Sequence, residues 1–243
     1  MNIIKILLAA FCFLIPGKAF AVGLSGNDRY KAEGAKAKDI DSLYFFEPFT
    51  WISLMDANNE LAACDSCAAV ARAQIERTAA HFAGRMKLSA PVRMADTVSG
   101  ARIRNEIYYA MSKAEADSFV EDIHPLRTID SVLNGAGLRY GLIILNTGFV
   151  RTKAGMKAAR KEANRKELAS LGFLSFTAVR CRSSVWAMIV DAKEHRTYYY
   201  NTCGKNAIDD DPLNFGSVKV QFINLFSHFY WGEISGFDLS KIN

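Results

Sequence analysis

The most regular hydrophobic pattern lies near the C-terminus, where Val218, Phe222, Leu225, Phe226 and Phe229 repeat at the i, i+4, i+7, i+8, i+11 spacing of one buried helical stripe. The sequence predicts an amphipathic helix there. Upstream, residues 185–191 and 196–202 are dense in β-branched and aromatic side chains, with Ala192-Lys193-Glu194-His195 between them. This predicts two strands joined by a tight connection. Residues 140–146 are almost continuously apolar, the mark of a strand covered on both faces. Gly135-Ala136-Gly137, just before, supplies a stop for the helical pattern at 126–134. Helix, glycine stop and buried strand, in that order, are the grammar of an α/β layer.

The first half of the chain yields to the same reading. Residues 42–54 are strand-like but interrupted at Glu47-Pro48; proline has no N–H to donate, so the strand bends there or lies at an edge. Asp56-Ala57-Asn58-Asn59 is a polar turn. Residues 66–82 carry alanine and larger apolar residues at helical spacing, with Asp65 or Ser66 available as the cap. A short strand is expected at 92–95, and further helical segments at 101–111 and 113–120. The expected fold class is α/β: a small mixed sheet flanked by helices, with a basic helical insertion and a C-terminal β-hairpin plus helix. The expected division is a signal peptide at 1–21, a mobile leader rich in glycine, alanine and lysine at 22–41, and one α/β domain at 42–243.

Composition narrows the classes. Half of the 243 residues are hydrophobic and 23% are charged, which excludes wholesale disorder. At the start, Lys5, an apolar run at 6–15, Pro16-Gly17 and Ala19-Phe20-Ala21 form the pattern of an export signal with a cleavage site. That apolar run is too short to cross a hydrocarbon core of about 30 Å. The expected location is the periplasm or the outer-membrane surface. Bulky Phe11 ahead of Cys12 disfavours lipidation there.

Charge is unevenly placed. Arg151, Lys153, Lys157, Arg160, Lys161, Arg165 and Lys166 stand against Glu162 and Glu167 within seventeen residues, a local net of +5 that equals the whole chain's +5. This excludes a uniformly basic nucleic-acid binder, and no aromatic interrupts the basic run as nucleic-acid stacking would need. Leu168, Leu171, Phe173, Leu174 and Phe176 follow it. Such a segment can lay its cations against anionic lipid while its apolar end enters the interface. The plainer alternative is a solvated helix with Glu162 and Lys166 as an i, i+4 pair.

Four cysteines follow the leader. Folding the predicted hairpin lays Cys181 nearly opposite Cys203, so a cross-strand disulfide is expected. Cys64-x-x-Cys67 at a helix start aims two sulfurs into the positive end of the macrodipole, which suits either thiol-disulfide exchange or a structural bond. His81, His124, His195 and His228 are scattered, no second Cys/His pair completes a zinc set, and Asp209-Asp210-Asp211 lacks the alternating ligands of a calcium loop. There is no glycine-rich phosphate loop and no nucleophile elbow. No metal or cofactor is therefore expected. Tyr198, Tyr199, Tyr200, Phe229, Tyr230 and Trp231 suggest core or a ligand platform.

The phrase Phe46-Glu47-Pro48-Phe49-Thr50-Trp51-Ile52, the segment Ile129-Asp130-Ser131-Val132-Leu133 leading to Tyr140-Gly141-Leu142-Ile143, then Gly148-Phe149-Val150-Arg151-Thr152-Lys153 and Ala187-Met188-Ile189-Val190-Asp191 resemble a group of uncharacterised exported proteins of Gram-negative bacteria. That group is distantly similar to the CsgG-like and TolB N-terminal-like α/β envelope lipoproteins. The resemblance implies a non-catalytic role in the cell envelope, with the basic segment placed where the secretion family inserts a membrane-contacting excursion. The leading expectation is a non-enzymatic exported module presenting that segment to a membrane surface or a protein partner, with oligomerisation left open. The alternative is a periplasmic thiol-disulfide oxidoreductase using Cys64 and Cys67.

Overall fold

The computed structural model describes residues 30–93, 98–116, 126–204 and 210–231. The expected signal peptide, the first part of the expected leader (22–29), half of the helix expected at 113–120, His124 and Asp209 lie outside them. In chain order the elements are β1 (Tyr30–Lys31), β2 (Leu43–Phe45), β3 (Phe49–Met55), β4 (Leu61–Ala63), α1 (Asp65–Met86), α2 (Val98–Ala116), α3 (Arg127–Gly135), β5 (Tyr140–Arg151), α4 (Lys153–Ala169), β6 (Cys181–Asp191), β7 (Arg196–Cys203) and α5 (Phe215–Phe226). A short 3-10 turn, Ala37–Asp39, precedes β2, and one π-helical turn, Ser227–Trp231, prolongs α5. The chain is mixed α/β, as expected.

The seven strands form one mixed sheet in the order β1-β7-β6-β5-β3-β4, with β2 also paired to β5. β5 is its axis: β2 and β3 run parallel to it and β6 antiparallel. Its apolar run is explained by two packed faces. Leu142 and Ile144 point into one core, with Ile75, Ala79, Phe82 and Met86 of α1 and Val218, Phe222 and Phe226 of α5. Ile143 and Leu145 point into the other, with Ile103 and Ile107 of α2 and Ile129 and Leu133 of α3. Alternate side chains of a strand face opposite ways, so a strand sandwiched between helical layers reads as an apolar run; where the run ends, buried Asn146 accepts the Ser183 hydroxyl.

Glu47-Pro48 resolves as a bend. Phe45 faces Leu142 and Phe49 faces Leu145, so three residues of the β2–β3 run span two of β5. The missing proline N–H costs nothing in such a bulge. Glu47 turns outward there and takes ion pairs from Arg72 of α1 at 2.6 Å and Arg93 at 2.8 Å.

Three expectations need correction. Residues 30–41 are not a mobile leader: Tyr30 pairs with Tyr200 at the sheet edge, and Ala32, Ala35 and Ile40 are buried in the α1–α5 core. Alanine is small enough to lie against a strand edge where composition alone suggested a tether. The cap of α1 is Cys64, whose sulfur accepts the Cys67 N–H, and neither Asp65 nor Ser66. The Cys181–Cys203 disulfide is not formed. Asp191 and Arg196 close the hairpin and a bulge at Ile189/Val190 shifts the register by one, so Cys203 faces Val185 while Cys181 faces Val150 of β5. Four residues of strand separate the two thiols, about 13 Å at 3.3 Å per residue, well beyond disulfide reach.

Candidate functional site

The C-terminal ends of β3 and β5 and the start of β6 meet at one end of the sheet, and α4 is rooted there. Thr152 N donates to Met55 O, and the Thr152 hydroxyl caps the helix by accepting the Gly155 N–H. Gly155 is required by contact: a Cβ on it would lie 2.6 Å from the carbonyl oxygens of Met55 and Asp56. Arg151 is part of this root. Its Nε donates to Val179 O, its Nη1 donates to Asn59 Oδ1, and its guanidinium lies over the Phe149 ring.

The remaining basic residues divide by helix face. At about 100° per residue, Lys153, Lys157, Arg160 and Lys161 fall on one stripe, and Asn164 and Leu168 continue it. All four cations are exposed, and among the described residues none has a carboxylate within ion-pair distance. Gly155 and Ala163, the buried residues of α4, lie on the far side. Arg165, which borders the stripe next to Lys161, and Lys166, on the side of Gly155, share Glu162 at 2.9 and 3.7 Å. The Arg165 guanidinium, hydrogen-bonded to it, holds the Glu162 carboxyl below the usual carboxylate range. The seven basic residues thus separate into one root, four outward cations and two paired ones.

The stripe runs into an exposed apolar turn. Leu168, Leu171, Phe173, Leu174 and Phe176 are all exposed, Leu171 at 84% and Phe173 at 86%. The turn is built: Gly172 N donates to Glu167 O, the Ser170 hydroxyl donates to Glu167 O, and Leu174 N donates to the Ser170 hydroxyl. Within it Leu171 holds φ at 53°, a left-handed conformation costly for a leucine. Between α4 and the returning chain lies an open groove of about 420 Å³, lined by Met156, Arg160, Asn164, Phe176 and Arg180. The backbone of the turn is a helix C-cap, with Leu171 N donating to Leu168 O and Gly172 N to Glu167 O, but capping requires neither the exposed apolar side chains nor the cations at the other end. The first turn of α4 has no acidic residue and carries Lys153, the wrong sign for the helix dipole.

The other candidates lie elsewhere. Cys64 and Cys67 form a disulfide at the start of α1. At the opposite end of the sheet from α4, His195 Nδ1 lies 2.8 Å from Asp130 Oδ2, beside an open cavity of about 530 Å³ lined also by Arg127, Ser131 and Asn134. That pair joins residues 65 apart in sequence and left no local trace. His81 is exposed on α1 against the Phe82 ring, and His228 lies in the π-helical turn. Tyr198, Tyr199 and Tyr200 are core, and the Tyr199 hydroxyl donates to Leu225 O. Among the described residues no group of His, Cys, Asp and Glu is placed to hold a metal ion, and no helix is long and apolar enough to cross a membrane.

Compared with known proteins, the chain matches no family model, no curated protein and no solved structure.

Proposed function

We propose that this is an exported envelope protein whose docking role is non-enzymatic: it binds an anionic membrane surface through α4 and the apolar turn after it. One observation carries the reading: four exposed cations without carboxylate partners share one helical face, and that face leads into five exposed large apolar side chains on a hydrogen-bonded turn. Each half would be anomalous alone. A solvated helix has no need of the leucines and phenylalanines, and a folding core would not leave them outside.

The magnitudes suffice for a reversible attachment. Four cations near an anionic surface supply about 4 kcal/mol, and burying Leu171 and Phe173 adds about 3–5 kcal/mol. Their sum of about 8 kcal/mol corresponds to a dissociation constant near the micromolar range.

Flotation of the exported chain with phosphatidylglycerol-containing vesicles tests the proposal. The wild type is expected to float with anionic vesicles and stay behind with purely phosphatidylcholine ones. Replacing Lys153, Lys157, Arg160 and Lys161 together by Gln is expected to reduce binding by roughly a thousandfold, each lost cation costing about 1 kcal/mol. Replacing Leu171 and Phe173 by Ser is expected to weaken it comparably. Flotation indifferent to the four cations removes the proposed function.

A further inference from the structure

Independently of the docking reading, we propose that Cys64–Cys67 is an exchange-active disulfide, with Cys64 as its reacting sulfur, acting on cysteines in extended polypeptide segments. Two donors converge on that one atom. The Cys67 N–H lies 3.3 Å from Cys64 Sγ, and the Ser66 hydroxyl 3.4 Å from it. A disulfide sulfur carries no hydrogen, so Ser66 is the donor. When the bond opens, both donors remain aimed at the Cys64 thiolate at the positive end of a 22-residue helix, and such a setting favours the ionised sulfur. Both cysteines are half-buried, so the pair is reachable from solvent.

Strand β4 supplies the place for a substrate. Among the described residues it is the terminal strand of the sheet, all three of its residues are exposed, and Ala63 leads directly into Cys64. An extended segment that adds to this edge brings its own cysteine alongside the sulfur, with Leu61 as an exposed apolar contact.

A substrate thiolate attacks Cys64 Sγ, forming a mixed disulfide and expelling Cys67, whose thiolate takes a proton. A second substrate thiolate then attacks the substrate sulfur of the mixed disulfide and expels the Cys64 thiolate onto the Cys67 N–H and Ser66 hydroxyl. The substrate dithiol loses two electrons and becomes a disulfide, while the Cys64–Cys67 pair becomes the dithiol. A second disulfide compound, such as glutathione disulfide, reoxidises it.

The test uses the exported full chain with Cys181 and Cys203 replaced by Ala. In the Cys67→Ser variant, Cys64 is expected to trap glutathione disulfide at least about ten times faster than Cys67 does in the Cys64→Ser variant, reflecting its larger thiolate fraction. Ser66→Ala is expected to slow Cys64 about threefold at neutral pH and move its pH–rate profile upward, through loss of one hydrogen bond to the thiolate, with Ser66→Thr restoring both. A disulfide-linked extended peptide is expected to outpace glutathione disulfide. Equal rates at the two cysteines, or a wild-type pair that resists dithiothreitol while the fold persists by circular dichroism, would overturn the exchange activity. A peptide no faster than glutathione would overturn the polypeptide substrate.

Discussion

On β7, burial pushes the Cys203 thiol up to about 11, against the weaker pull of an Asn224 Nδ2 contact at 3.9 Å. An acid whose native pKa exceeds its unfolded value keeps its proton longer when folded. Its contribution to stability is therefore complete below the unfolded pKa of about 8.5 and declines as the pH climbs toward 11. Tyr140, pushed up to about 12 by burial and then by Asp191, acts in the same direction at higher pH. Urea midpoints are expected to fall between pH 9 and pH 11, and Cys203→Ala to flatten the first part of that fall. At the other end of the sheet, fully buried Asp191 holds Arg139 by two hydrogen bonds and accepts the N–H groups of Lys193 and Glu194. Asp191→Ala is expected to destabilise by about 3 kcal/mol, measured by chemical denaturation. Such long-range partners were not legible in the sequence: Asp130 and His195, or Arg139 and Asp191, meet only because strands and helices return to the same end.

At the scale of elements, patterns that repeat over several turns were readable and short ones were not. The α5 stripe, the hairpin and the apolar axis strand β5 all followed from periodicity, because each buries a continuous face. Strand β4 escaped because Leu-Ala-Ala carries no alternation, and it pairs with β3 only at Ser53, Leu54 and Met55. The hairpin and its closing pair were legible: counting from Asp191 and Arg196 puts Cys203 opposite Ser184, and the bulge moves it one residue further from Cys181, to Val185. The cationic stripe of α4 was visible as a charge run, yet its division into outward and paired cations needed the helix to be placed. That placement depends on Gly155. Gly155→Ala gains about 1 kcal/mol in helix propensity at most, whereas forcing a methyl against two carbonyl oxygens costs about 1–3 kcal/mol. The contact outweighs the propensity. The variant is expected to lose about 1 kcal/mol of stability by urea denaturation and to bind anionic vesicles less well, because α4 no longer seats on β3.

For the whole molecule, the docking reading carries an ionic-strength signature. The four cations of the stripe are solvent-exposed, so they act through a screened field whose reach shrinks from about 30 Å at 0.01 M salt to about 8 Å at 0.15 M. Vesicle binding is expected to weaken about tenfold across that range, while the Leu171 and Phe173 double substitution leaves the salt slope unchanged, as sedimentation of bound protein would read. The rooting of α4 also sets two ends of the sheet apart. β5 has twelve residues, about 40 Å of strand, between the base of α4 and the turn that holds His195. Docked through its basic helix, the chain would carry the His195–Asp130 pair at the far end of that strand, up to about 40 Å from the helix base, so that a second encounter at that end need not compete with the bilayer.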